Sequence, residues 1–207
     1  YLYIVAGRPS MGKTMLGTWL ALAAAKKGKK THFVTLEMAK KQITLRMIAA
    51  LSGLPMTEIR KDRYVIQAGR QVLDAAKAKF AALPLVVSDR AVTLGKICSL
   101  ARRERLRRGL DLLVIDQLSA MSITGSNRAT GLKEITGALK QLAKELGIPI
   151  VLLHQLSRAV THLENKRPDL EHLKDSGAVE EDADVVMLLH RPAYYNIDLN
   201  PELAEII

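Results

Sequence analysis

"AGRPSMGKT", residues 6–14, carries the strongest signal in the sequence. Gly7, Gly12, Lys13 and Thr14 fill the spaced positions of G-x-x-x-x-G-K-[ST], with Arg8, Pro9, Ser10 and Met11 between them. Two glycines, lacking Cβ, let the backbone curl and approach an anion closely. Successive N–H groups then point at phosphate oxygens, and the following helix adds its positive N-terminal end. In this reading Lys13 reaches the β and γ phosphates of ATP and the Thr14 hydroxyl ligates Mg²⁺. The flanks supply strand, loop and helix in the required order. "YLYIVA" before the loop is apolar, β-branched and aromatic, and "MLGTWLALAAAKKG" after it is rich in helix formers and ends on Lys and Gly.

The same alternation continues outward. "THFVTLE" (31–37) reads as a strand, "KKQITLRMIAALSG" (40–53) as an amphipathic helix closed by Gly53, and 57–83 as a more polar helix. "PLVVSD" (84–89) is a strand, "LGKICSLARRERLRRG" (94–109) a very basic helix, and "LDLLVID" (110–116) the most apolar strand. A polar loop "SITGSNRATG" (122–131), a helix at 132–147, the strand "IPIVLLHQ" (148–155), a polar segment (156–183) and the strand "ADVVMLLHR" (183–191) complete the series. Unbroken apolar strands alternating with helices mean a mainly parallel sheet covered on both faces. Ligands of such sheets sit beyond the carboxyl ends of the strands, so the residue ending each strand carries the information.

Composition narrows the class. At 207 residues and 48% hydrophobic, the chain suits a single α/β domain spanning 1–207. No segment approaches the roughly 18 apolar residues of a membrane span, and no signal peptide opens the chain, so a soluble, cytoplasmic protein is expected. The lone Cys98 excludes an internal disulfide or cysteine metal site, and its apolar run "LGKICSL" marks a buried core thiol. A net charge of +10 asks for a polyanionic partner beyond ATP. The chain starts at Tyr1, without Met and already within a strand, so a fragment truncated at both ends is expected.

Three strand ends point to the chemistry. Asp116 closes "LLVID", where an acid holds the Mg²⁺ water shell opposite the phosphate loop. Gln117 follows it, so a catalytic base must come from elsewhere. Glu37 closes "FVTLE" and would orient and deprotonate the attacking water if its strand neighbours the loop strand; otherwise it is an exposed acid at a helix start. Gln155 closes "IVLLHQ", where an amide would sense the γ-phosphate or simply bind water. His154 has no second ligand spaced for a metal.

These residues resemble the DnaB-type replicative DNA helicases, whose motor domain has a RecA-like core. "IVAGRPSMGKT" is similar to that family's first motif; "TLEM" with Gln42 and Arg46, "LLVIDQLSAM" and "LLHQLSR" follow in order, and the long "KRPDLEHLKDSGAVEEDADVVMLLHR" is the most family-specific match. The resemblance implies Lys13 and Thr14 on phosphate and Mg²⁺, Asp116 on the metal, Glu37 as base and Gln155 as sensor. It also implies two channel-facing loops that hold single-stranded DNA: 122–130 with Arg128, and 174–177 with Lys174, Asp175 and Gly177. One basic group and a glycine suit sequence-independent grip on a backbone.

Departures stand beside the nucleotide site. Gln117 occupies a position usually Tyr, Ser119 one usually Gln, and "RPAYY" replaces R-D-E-Y-Y. The family's arginine finger and nearby lysine lie on a hairpin just after the segment resembling "ELAEII", hence beyond Ile207; Arg191 is not assigned that role. The five arginines of "ARRERLRR" surround more than one helix face and read as a solvated covering helix.

The resemblance therefore implies an ATP-driven 5′ to 3′ DNA helicase motor acting as a hexameric ring, with primase and a helicase loader as partners, in a bacterial cell or a phage-infected host. Two alternatives share the loop: a RecA- or KaiC-like ATPase or recombinase without unwinding activity, and a small-molecule kinase.

Overall fold

In a computed structural model of the chain, residues 1–60, 67–90, 93–117, 128–162, 165–173, 177–196, 198–200 and 203–207 are described. β1 (Leu2–Gly7) runs into α1 (Lys13–Lys26), then β2 (Thr31–Thr35), α2 (Lys40–Ser52), α3 (Met56–Arg60), α4 (Gln67–Ala82) and β3 (Leu85–Ser88). The chain continues through α5 (Leu94–Arg108), β4 (Leu112–Asp116), α6 (Arg128–Leu146), β5 (Ile150–Gln155), α7 (Gly177–Asp182), β6 (Val185–His190) and a short β7 (Glu205–Ile206). The strands lie in the order β3-β2-β4-β5-β1-β6-β7. The first six run parallel, and β7 pairs antiparallel with β6 through Leu189 and Ile206.

The period of two along each strand sorts side chains between two cores. Leu113 and Ile115 of β4, and Ile150 and Leu152 of β5, join Ile97 of α5, Leu132 and Leu139 of α6 and Val179 of α7 on one face. Leu112 and Val114, with Val151 and Leu153, join Ala21 and Leu22 of α1 and Ile43 and Met47 of α2 on the other. Extending the alternation to the strand ends places Asp116 and Gln155 on the α1 face, and His154 on the opposite one. A strand pattern alone thus delivers two polar side chains to the helix that begins with Lys13 and Thr14.

Gly17 brings that helix close to the sheet. A Cβ on it would stand 2.9 Å from Leu153 Cδ1.

Three expectations need correction. β2 does not neighbour the loop strand, since β4 and β5 lie between it and β1. Of the helix expected over 57–83, the parts described are α3 and α4, with 61–66 outside the described residues. The loop expected over 122–131 yields its last residues to α6, which starts at Arg128. Cys98 is half-buried, packed against the core without being sealed in it, and burial pushes its thiol pKa up. On α5, Arg102 pairs with Glu145 at 2.7 Å, Arg108 with Glu104, and Arg105 donates to the Leu110 carbonyl at 2.7 Å, so these three are engaged within the fold.

Candidate nucleotide site

The loop from Gly7 to Thr14 folds as its composition dictates. Ser10 (φ 66°) and Gly12 (φ 98°) take left-handed backbone, and the second would strain any side chain. Met11 anchors the loop by burying in the α1 core. α1 starts from Gly12 with no side-chain cap and no acid in its first turn. By contrast, Thr93 caps α5 by accepting from the Lys96 N–H. An uncapped helix start leaves its orphan N–H groups and positive end to an anion.

Lys13 lies back over the loop, its Nζ donating to the carbonyls of Gly7 at 2.8 Å and Arg8 at 3.0 Å. Both bonds leave one of its three donors over. Burial lowers its pKa from 10.5 to about 8; Asp116 and Glu37 oppose the shift and Arg8 adds to it. Thr14 Oγ1 donates to Asp116 Oδ2 at 2.9 Å, which leaves the hydroxyl lone pairs available. Asp116 is 1% exposed, and its Oδ1 is buried with no hydrogen-bond partner among the described residues. Burial pushes its carboxyl pKa up, the Thr14 bond opposes this, Glu37 adds to it, and Lys13 and Arg46 hold it down.

An orphaned carboxylate oxygen beside a hydroxyl with free lone pairs fits Mg²⁺. That ion dehydrates reluctantly and takes one or two protein oxygens, completing its shell with water and phosphate. Among the described residues there is no group of three or more His, Cys, Asp or Glu that could hold a metal ion. Thr14 would ligate the ion and Asp116 would hold its water shell.

Glu37 reaches this site without a neighbouring strand. β2 pairs with β4 so that Thr35 stands opposite Asp116. Beyond it the Leu36 N–H donates to the Asp116 carbonyl at 2.5 Å, and Thr35 Oγ1 accepts from the Met38 N–H and donates to the Met38 carbonyl. That turn carries Glu37 over the end of β4, and Glu37, Lys13, Thr14, Gln117 and Gln155 line one cavity of about 440 Å³. Gln155 stands opposite Gly7 across the β1–β5 ladder, at the mouth of the loop. Pro9, Ser10 and Gly12 line the same cavity.

Arg46 and Met38 line it too, and their part was not drawn from the sequence. The available signal for Arg46 is a charge at i+3 from buried Ile43 and beside buried Met47, inside the apolar stripe of α2. Of the residues expected to meet DNA, Lys174 and Asp175 lie outside the described residues, as does most of the 122–130 loop. Arg128 is the first residue of α6 and Gly177 the first of α7. No helix among the described residues is long and apolar enough to cross a membrane.

Residues 1–207 match the family model described as the DnaB-like helicase C terminal domain. The chain is 36% identical over 211 residues to a probable plasmid replicative DNA helicase of Chlamydia psittaci, covering 99% of this chain and 45% of that protein. It is 38% identical over 213 residues to the replicative DNA helicase DnaB of Pasteurella multocida, covering 100% and 46%. The chain thus spans a little under half the length of these relatives. Among solved structures, an ATPase domain superposes with a TM-score of 0.93 at 28% identity, covering 100% of this chain and 75% of that one. A DnaB-like replicative helicase solved for its interactions with primase also gives 0.93 at 28%, covering 99% and 51%.

Proposed function

Since the chain belongs to the DnaB-like helicase C-terminal domain family and has its RecA-like ATPase fold, we propose that it is the motor of an ATP-dependent replicative DNA helicase, with the roles that follow. The observation that carries this reading is the convergence of Lys13, Thr14, Glu37 and Gln155 on one cavity, with Asp116 bonded to Thr14 beneath it.

In this reading the loop N–H groups and Lys13 hold the β and γ phosphates and take up negative charge as it shifts during transfer. Mg²⁺ held by Thr14, with Asp116 on its water shell, would supply neutralisation of phosphate charge. Glu37 orients a water and accepts its proton. Asp116 is unsuited to that task because its side chain is committed to Thr14 and the metal shell. Gln155, next to Gly7, contacts the γ-phosphate and changes partner when it leaves. An arginine from a neighbouring subunit completes the transition-state charge, which makes the working form a ring, read as a hexamer. Hydrolysis moves a single DNA strand held by Arg128, Lys174, Asp175 and Gly177, unwinding duplex 5′ to 3′, with primase and a loader as partners.

The test is a forked-duplex assay on the protein as encoded in its complete reading frame. ATP- and Mg²⁺-dependent strand separation, with hydrolysis stimulated by single-stranded DNA, is expected. Hydrolysis indifferent to DNA, or strand exchange without unwinding, would refute the motor reading in favour of a non-unwinding ATPase.

A further inference from the structure

The two strands flanking β1 receive the chain from two helices that are bound to each other. α6 follows 118–127 and leads to β5, whose last residue Gln155 stands opposite Gly7. α7 follows 174–176 and leads to β6, where Leu189 stands opposite Gly7 from the other side, and Arg191 just beyond donates to the Ser10 carbonyl at 3.4 Å. Both routes therefore start next to a segment assigned above to DNA and end at the phosphate loop.

Between them, α6 and α7 are bound at three levels. Val179 of α7 is fully buried in the core formed with Leu132, Ile135 and Leu139 of α6. Thr136 Oγ1, at 0% exposure, donates to Asp182 Oδ2 at 2.5 Å, and Lys133 pairs with Glu181 at 3.1 Å on the surface. One turn further along α6, Lys140 pairs at 2.6 Å with Asp184, which lies between α7 and β6 and also accepts from the Leu2 N–H at 2.6 Å. The unit is thereby tied to the start of β1, and so to the strand that ends in the loop.

We propose that α6 and α7 move as one rigid element coupling DNA engagement to the nucleotide site, with Thr136 and Asp182 as its positioning pair. The inference rests on the motor reading given above. Neither residue touches nucleotide. Loss of their bond uncouples the two strand ends while leaving Lys13, Thr14, Glu37 and Asp116, which belong to other elements, in place.

The experiment measures steady-state ATPase with and without single-stranded DNA for the complete protein. Thr136→Val keeps the shape and removes the donor, Thr136→Ser restores it, Lys133→Glu sets like charges against Glu181, and Lys133→Glu with Glu181→Lys restores the attraction. Thr136→Val and Lys133→Glu are expected to cut the DNA-stimulated kcat by about five-fold. Basal kcat and the KM for ATP should stay within about two-fold in both. Thr136→Ser and the charge swap should recover wild-type stimulation. Stimulated and basal rates falling together, failure of both restoring variants, or full stimulation in Thr136→Val would each overturn the inference. A wild-type protein unstimulated by DNA would instead overturn the motor reading, and this inference with it.

Discussion

Replacing Lys13 with Met makes the nucleotide-free protein more stable at neutral pH and less stable at alkaline pH. A lysine whose pKa falls on folding is a charge held at a cost. The cost is fully present below about 8, shrinks as pH rises, and is gone above the unfolded value of 10.5. The gap between those values is worth about 3 kcal/mol, at about 1.4 kcal/mol per pH unit. Against this, Met gives up the bonds to the Gly7 and Arg8 carbonyls, about 1 kcal/mol each. Neither carbonyl is left bare, since the Leu156 and Met11 N–H groups also donate to them. The variant should therefore be about 1 kcal/mol more stable than wild type at pH 7. Between pH 7.5 and 9.5 the wild-type protein gains about 2 kcal/mol on the variant, and the order reverses. Urea unfolding of both proteins at the two pH values, without nucleotide, measures this directly. ATP binding by the variant should be severely weakened throughout. A Lys13→Met protein less stable than wild type by the same amount at every pH would rule this out, because Lys13 would then be a net stabilising group.

Asp116→Asn should lose the Mg²⁺-dependent part of its ATP affinity, seen as titrations with Mg²⁺ and with EDTA that coincide. Burial raises the Asp116 pKa, so its ionised form costs stability as pH rises through the carboxylate range, and the unfolding midpoint of the variant at pH 7 should not fall. Gly17→Val drives a branched side chain into Leu153, which is itself fully buried, and the overpacking of about 2 kcal/mol should lower the thermal midpoint by roughly 5 °C. The exposed Trp19, the only tryptophan, lies on α1 five residues after Thr14, and its emission should change on nucleotide binding in wild type but not in Lys13→Met.

Much of this was legible in residues whose neighbours in sequence are also their neighbours in space. The phosphate loop is such a case: strand, glycines, lysine and helix start follow one another directly. The two-residue period of β4 and β5 likewise suffices to put Asp116 and Gln155 on the α1 face. Strand order was not legible, because apolar runs of similar length carry no label for their partner. The route expected for Glu37, through a strand beside β1, was therefore wrong. It reaches the cavity because β2 pairs with β4 and the Thr35–Met38 turn projects beyond Asp116. Arg46 was named within a family-like segment but given no role, for a related reason. A charge within a helical stripe signals a polar neighbour, and only the packing of α2 against the sheet says which one.

The proposed motor stands on a carboxylate base in the turn after β2, since the position after Asp116 holds Gln117. Steady-state ATPase and ATP binding of Glu37→Gln bear on it without any intermediate step. A kcat lower by at least about 10²-fold is expected, with ATP affinity within about three-fold of wild type. Hydrolysis at the wild-type rate in that variant would remove Glu37 as the base.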